Sequence, residues 1–114
     1  MTTQIFDREA ALARVGDDEE LLLELVKIFL DDYPINLSAI RSALAAGNPK
    51  GVEYAAHTLK GAVANFGADA VVKEAFELEQ LGRTGDIAYA NDNLQRLAAV
   101  LELLDLELRP LAAP

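Results

Sequence analysis

His57 is the one histidine of the 114-residue sequence, and it is the side chain best suited to chemistry at neutral pH. A neutral imidazole is a nucleophile and a proton carrier, and much of a histidine population is neutral at cellular pH. Lys60 and Gly61 follow it at spacings of three and four residues. Residues so spaced lie beside one another on a helix, so a cation and an open space would flank the imidazole.

The presence of Gly61 inside a helix calls for an explanation, because glycine lowers helix stability by about 1 kcal/mol relative to alanine. Its missing side chain, one turn after His57, leaves room for another group to approach the ring. Lys60 can reach an anion attached to that ring, and Ala62 and Ala64 keep the neighbouring positions small. The alternative is that His57 is an ordinary surface histidine and Gly61 a close helix-packing contact. The spacing alone leaves both interpretations open.

The residues around this site follow a helical pattern. Alanine and leucine dominate, and the β-branched residues never alternate with polar ones over a strand's length. Apolar residues recur at spacings of three and four in four long segments, after a short first helix that Asp7 would cap. The predicted breaks lie at Gly16, 47–49, Gly67, 84–86 and Pro110. Pro34 falls inside the second segment, but the apolar stripe stays in phase across it, which favours one kinked helix over two.

Four amphipathic helices with short connections predict an all-α fold, an antiparallel up-down four-helix bundle with a short additional N-terminal helix. Residues 1–114 form a single domain in this interpretation, with a core of about 7–109 and a frayed tail over 110–114. His57 lies one residue off the apolar stripe of its helix, at the stripe's edge and facing outward. The predicted stripe consists of Val52, Ala56, Leu59, Val63 and Phe66.

Composition excludes several classes of function. Ten basic against nineteen acidic residues give a net charge of -9. That balance argues against a sequence-independent nucleic-acid binder and against docking on anionic membranes. One histidine and no cysteine cannot build a typical zinc site. The chain has no apolar run of transmembrane length, and residues 1–10 lack the apolar core of a signal peptide, so we expect a cytoplasmic location.

The segment 56–68 reads AHTLKGAVANFGA. It closely resembles the signature of the histidine-containing phosphotransfer (HPt) domains of two-component phosphorelays: Ala-His, a variable residue, Leu-Lys-Gly, small residues, then Gly-Ala. The match extends over nearly the whole chain, through Phe6-Asp7, Leu12, Phe29, Pro34, Leu78-Glu79 and Gly85-Asp86. Asn65 is a departure, since it stands where small residues, often Ser, are common.

The resemblance implies a role for each matching residue. His57 would be the phosphoacceptor and form a phosphoramidate. Lys60 would offset the charge of the phosphoryl group, and Gly61 would give the partner access. Glu79, with Gln80 as its less favoured neighbour, would hydrogen-bond the other ring nitrogen and fix the orientation of the imidazole.

The resemblance also implies partners. The domain would carry a phosphoryl group between receiver-domain aspartates, or form the C-terminal part of a hybrid sensor kinase. It would be a monomer with no cofactor, no ATP site and no turnover of its own, and Mg²⁺ would be held by the receiver partner.

Docking is predicted at Ala64, Phe76 and Leu12, because the net charge of -9 disfavours attraction to an acidic receiver pocket and apolar contact must supply affinity. Phe76 would be either an exposed docking anchor or a core residue.

Two other classes of function stay open: a structural scaffold bundle in which His57 is incidental, and the His-bearing dimerisation element of a histidine kinase.

Overall fold

Five α-helices and one 3₁₀ turn make up the regular structure of residues 4–112, the part of the chain that the computed structural model describes. They are α1 (Arg8–Arg14), α2 (Glu19–Ala45), α3 (Pro49–Ala64), α4 (Asp69–Thr84), the 3₁₀ turn (Ile87–Tyr89) and α5 (Ala90–Ala112). Helix α3 packs between α2 and α4, and α5 packs against both α4 and α2, which closes a four-helix bundle. The predicted all-α bundle with a short additional N-terminal helix is confirmed.

Side-chain caps start three of the helices. Asp7, Asp18 and Asn48 each accept a hydrogen bond, at 3.0–3.1 Å, from the backbone N–H three residues later. Each cap satisfies one of the N–H groups that a helix start leaves without a partner. At the other end of α4, Gly85 adopts a left-handed conformation with φ 81°, which glycine reaches without the strain of a side chain. These breaks match the predicted ones.

Helix α2 runs without interruption through Pro34, as the unbroken apolar stripe predicts. Its buried residues are Leu22, Val26, Phe29, Leu30, Leu37, Ile40 and Ala43. Tyr33 is half-buried, and its hydroxyl donates to Asp105 of α5, which also accepts two hydrogen bonds from Arg109. Burial, together with the contact to Asp105, raises the pKa of Tyr33 to about 12, so the phenol stays a neutral donor that joins α2 to α5.

Both ends of α5 differ from the prediction. The sequence predicts a helix that includes Ile87 and stops at Pro110; instead a 3₁₀ turn precedes α5, and the helix continues through Pro110 to Ala112. Leu111 and Ala112 pack against the core, and this burial offsets the one backbone hydrogen bond that Pro110 cannot donate. The predicted frayed tail is therefore wrong over 110–112, and residues 113–114 lie outside the described part of the chain.

The segment before α1 is held against the far end of the chain. The Glu107 carboxylate of α5 accepts hydrogen bonds from the backbone N–H groups of Ile5 and Phe6, at 2.8 and 3.2 Å. The N–H of Asp7 donates to the carbonyl of Phe66, in the α3–α4 turn, at 3.0 Å. The segment before α1, the α3–α4 turn and α5 thus meet at one end of the bundle.

Candidate functional site on helices α3 and α4

The imidazole of His57 lies on the outer face of α3, with 65% of its side chain exposed. Its position off the buried stripe is as predicted, because Val52, Ala56, Leu59 and Val63 face the core. Gly61, one turn later, faces open space: a Cβ added there would have no neighbour within 4 Å beyond its own helix. Gly61 is therefore not a close packing contact, and that half of the alternative is wrong.

The close helix contact is made instead by Gly82 of α4. A Cβ there would lie 2.5 Å from the backbone nitrogen of Glu53 and 2.8 Å from the carbonyl oxygen of Pro49. Only glycine lets α4 approach the α3 backbone to this distance. This role of Gly82 was not predicted from the sequence, although a glycine just before a helix end is a signal that could have suggested it. This close approach brings Glu79, on the preceding turn, to α3.

Glu79 is a buried carboxylate that contacts two residues of α3. Its Oε2 lies 3.1 Å from Nδ1 of His57, and its Oε1 lies 2.7 Å from Nζ of Lys60. Only 7% of the Glu79 side chain is exposed. Oε1 has no hydrogen-bond partner in the described part of the structure, so its contact with the ammonium is an ion pair. The structure thus brings together His57, Lys60 and Glu79, with Glu79 and not Gln80 at the ring.

The charge of Glu79 determines which nitrogen of the His57 ring carries the proton and which carries the lone pair. Burial by itself would raise the pKa of Glu79, but the contacts with Lys60 and then His57 outweigh it and hold the pKa below its ordinary range. An ionised carboxylate can only accept hydrogen bonds, so Nδ1 of His57 carries the proton. The lone pair of a neutral ring is then on Nε2.

Lys60 has a second partner in Phe76 of α4. Its Nζ lies 5.0 Å from the centroid of the Phe76 ring, and only 25% of the Lys60 side chain is exposed. Sequence reasoning placed Lys60 beside His57 but missed both of its contacts on α4. The signal was the spacing: His57 and Lys60 are three residues apart on α3, as are Phe76 and Glu79 on α4, so two facing pairs were available.

A family model of the Hpt domain matches residues 24–107. The chain belongs to the Hpt domain family. Its function is that of a histidine phosphotransfer module in phosphorelays, in which Hpt domains carry phosphoryl groups and interact with receiver domains and kinases. The family predicted from the segment 56–68 is confirmed.

The fold of this Hpt domain is similar to that in the crystal structure of histidine-containing phosphotransfer protein B (HptB) from Pseudomonas aeruginosa PAO1. The two chains are 21% identical, the match covers 96% of this chain and 95% of that one, and the TM-score is 0.87. No curated protein matches the sequence.

The predicted docking residues of this Hpt domain lie in different surroundings. Phe76 is 46% exposed, so it is not a core residue. Ala64 is half-buried, two turns after His57. Leu12 of α1 is half-buried and packs against the core. Their role in docking stays a prediction.

The Hpt domain also has an apolar groove between α2 and α3 that the sequence analysis missed. Ile28 and Ile35 of α2, 53% and 67% exposed, form one wall, and Thr58 and Ala62 of α3 form the other. Asp32 is the one charged residue among those that line it. The signal was a second apolar repeat on α2, outside the buried stripe, at seven-residue spacing: Leu21, Ile28 and Ile35.

Two properties complete the description of residues 4–112. No three side chains of His, Asp or Glu in that range are arranged to hold a metal ion. No helix within it is long and apolar enough to cross a bilayer.

Proposed function

We propose that His57 is the phosphoacceptor of this Hpt domain and that its Nε2 forms the bond to phosphorus. The observation that carries this proposal is the contact of the buried, ionised Glu79 with Nδ1. It leaves Nε2 as the nucleophilic nitrogen of a ring that is mostly exposed. A fixed tautomer means that the reactive form does not have to be selected from a mixture in each encounter.

The phosphoryl donor is an aspartyl phosphate of a receiver domain. The Nε2 lone pair forms the N–P bond while the P–O bond to the aspartate breaks, and that electron pair leaves with the aspartate as a carboxylate. The Nδ1 proton stays in place, so the phosphorylated ring carries a positive charge beside Glu79. The same step in reverse passes the group to a second receiver. We expect the receiver to hold the Mg²⁺, and no step is routed through a metal on this chain.

Lys60 and Gly61 prepare the surroundings of the imidazole. The ammonium of Lys60, already beside Glu79, offsets the negative charge that the phosphoryl group brings. The open space at Gly61 lets the partner's aspartate approach in line with the N–P bond. The protein is modified once per transfer, works as a monomer in the cytoplasm and has no turnover and no ATP site of its own.

We expect the partner's surface to lie over the groove between α2 and α3. A receiver whose aspartate reaches Nε2 of His57 would cover neighbouring surface, and the groove wall begins at Thr58, the next residue. The exposed side chains of Ile28 and Ile35 offer apolar contact there. Because Asp32 is the one charge in the lining, an acidic receiver pocket meets little repulsion.

Replacing His57 tests the proposed function. Wild-type protein incubated with a phosphorylated receiver should gain one phosphoryl group by mass, and His57→Gln should gain none while its melting temperature is preserved. The phosphoryl group should be labile to acid and stable to base, as expected for a phosphoramidate and not for a phosphoserine. A His57→Gln protein that is phosphorylated to the wild-type extent contradicts the proposal.

The same experiment addresses the two other classes of function. A scaffold with an incidental histidine would gain no phosphoryl group in the wild-type form. A kinase dimerisation element would have twice the monomer mass in solution, which light scattering measures.

Replacing Ile28 or Ile35 with serine tests the docking surface. Each change should raise the KM for the phosphorylated receiver about five- to thirtyfold, as for loss of an interface anchor worth about 1–2 kcal/mol. The melting temperature should change little, because both side chains are exposed and serine matches isoleucine in helix propensity. Leu103→Ser on α5, 48% exposed and outside the groove, is the matched control. If Ile28→Ser and Ile35→Ser both kept the wild-type KM, as Leu103→Ser should, docking would have to occur elsewhere.

A further inference from the structure

We propose that Phe76 is a positioning residue for Lys60: its aromatic face holds the lysine ammonium beside His57 and leaves its positive charge available to the phosphoryl group. This inference rests on the proposed function of His57 and extends it to a residue on α4.

The contact is within the range of a cation–π interaction. Nζ of Lys60 lies 5.0 Å from the ring centroid, and such contacts stabilise within about 6 Å. The partial burial of Lys60, with 25% of its side chain exposed, removes some of the water that would otherwise compete with the ring. Phe76 itself remains 46% exposed, so core packing does not account for a phenylalanine at this position.

The geometry gives Lys60 two partners of different kinds. Oε1 of Glu79, at 2.7 Å, attracts the ammonium but also neutralises it. The face of Phe76 attracts the same ammonium through the ring quadrupole and leaves its full charge available. When a phosphoryl group arrives on His57, Lys60 can turn toward it from Glu79 while it remains on the ring.

A lysine without the ring would have to be ordered during the reaction. Its side chain has four rotatable carbon–carbon bonds and a strongly hydrated head, and ordering such a chain costs conformational entropy. With Phe76 below it, Lys60 is already confined near His57 before the partner binds. Phe76 should therefore affect the rate of phosphoryl transfer and not the affinity for the receiver.

The test compares Phe76→Leu and Phe76→Tyr in the wild-type protein and in a Lys60→Met background. Leucine retains apolar bulk but has no aromatic face, whereas tyrosine retains the face. Phe76→Leu should lower kcat for transfer from a phosphorylated receiver about three- to tenfold, the loss expected for a partly exposed cation–π contact, with KM unchanged. Phe76→Tyr should have a kcat close to that of the wild-type protein. In Lys60→Met, Phe76→Leu should have no further effect on kcat, because the group it positions is gone.

Other outcomes overturn the inference. A raised KM with unchanged kcat, in both backgrounds, would make Phe76 a docking anchor. An equal loss of kcat with and without Lys60 would show that Phe76 does not act through the ammonium. Full activity of Phe76→Leu would show that the ring has no role. Each of these results leaves phosphorylation of His57 intact, whereas failure of the proposed function would remove it from the wild-type protein as well.

Discussion

At the scale of single residues, one buried carboxylate organises the site. One oxygen of Glu79 accepts a hydrogen bond from Nδ1–H of His57, and the other pairs with the Lys60 ammonium. In the proposed function, the first contact selects the nucleophilic nitrogen, and the second holds the lysine charge that would offset the phosphoryl group. Because the pKa of Glu79 is lowered in the folded protein, its stabilising contribution is complete above the ordinary Glu range. The contribution is lost as the pH falls through the lowered value.

Two substitutions of Glu79 separate hydrogen bonding from charge. Glu79→Gln keeps an acceptor for Nδ1 but removes the negative charge beside the phosphorylated ring. We expect it to lower the transfer rate about three- to thirtyfold, the range for a charged hydrogen bond or ion pair near the reacting group. Glu79→Leu removes the acceptor as well and should lower the rate further. ¹⁵N chemical shifts of His57 should show a single tautomer in the wild type and a mixture in Glu79→Leu. A single unchanged tautomer in Glu79→Leu would show that Glu79 does not select it.

At the scale of helices, two glycines have opposite functions in the α3–α4 pair. Gly61 faces open space, where the partner enters in the proposed function, and Gly82 lies against the α3 backbone. The first glycine weakens α3 and, in that proposal, gives access to His57. The second allows the helix approach that brings Glu79 under His57.

Substituting these glycines should therefore affect different properties. Gly61→Gln should keep or raise the melting temperature, because a helix-interior glycine costs about 1 kcal/mol. It should nevertheless slow transfer at least about tenfold by filling the approach to Nε2. Gly82→Ala should lower stability by about 1–3 kcal/mol, since its Cβ would meet the backbone at Glu53 and Pro49. Thermal melts and transfer kinetics on both variants, with Gly61→Ala as the small-side-chain control, measure these effects. Unchanged transfer in Gly61→Gln would contradict the access role.

The sequence predicted the helices well because their apolar repeats and caps are local signals. Leu22, Val26 and Phe29 are buried as their spacing requires, and Asp7 caps α1. The continuation of α5 past Pro110 was not predictable in this way, because it depends on packing against the core by Leu111.

The site was predictable only in part, for a similar reason. The spacing of His57, Lys60 and Gly61 lies on one helix and could be derived from the sequence. The contact between Lys60 and Phe76 joins two helices. It depends on the rotation and separation of α3 and α4, which are determined by close packing at Gly82 and are absent from a one-dimensional pattern.

At the scale of the whole molecule, charge and contact have separate roles. The net charge of -9 is spread over a surface that must meet an acidic receiver pocket. Lys60 provides a cation where the phosphoryl group would be transferred, and the groove beside α3 carries a single charge, that of Asp32. In the proposed docking mode, recognition therefore depends on local apolar area and not on attraction between the net charges of the two molecules.

The hydrogen bonds from Ile5 and Phe6 to Glu107 bring the start and end of the described chain to the same place. Gln4 and Leu111 border one hollow there. A short linker could join these ends, and a new opening in the α2–α3 turn at Gly47, where no neighbour lies within 4 Å of an added Cβ, would leave each helix whole. The helix order would then be circularly permuted without altering the bundle. By the same geometry, the domain can be inserted as a unit into a surface loop of another protein, with His57 left uncovered on the side of α3.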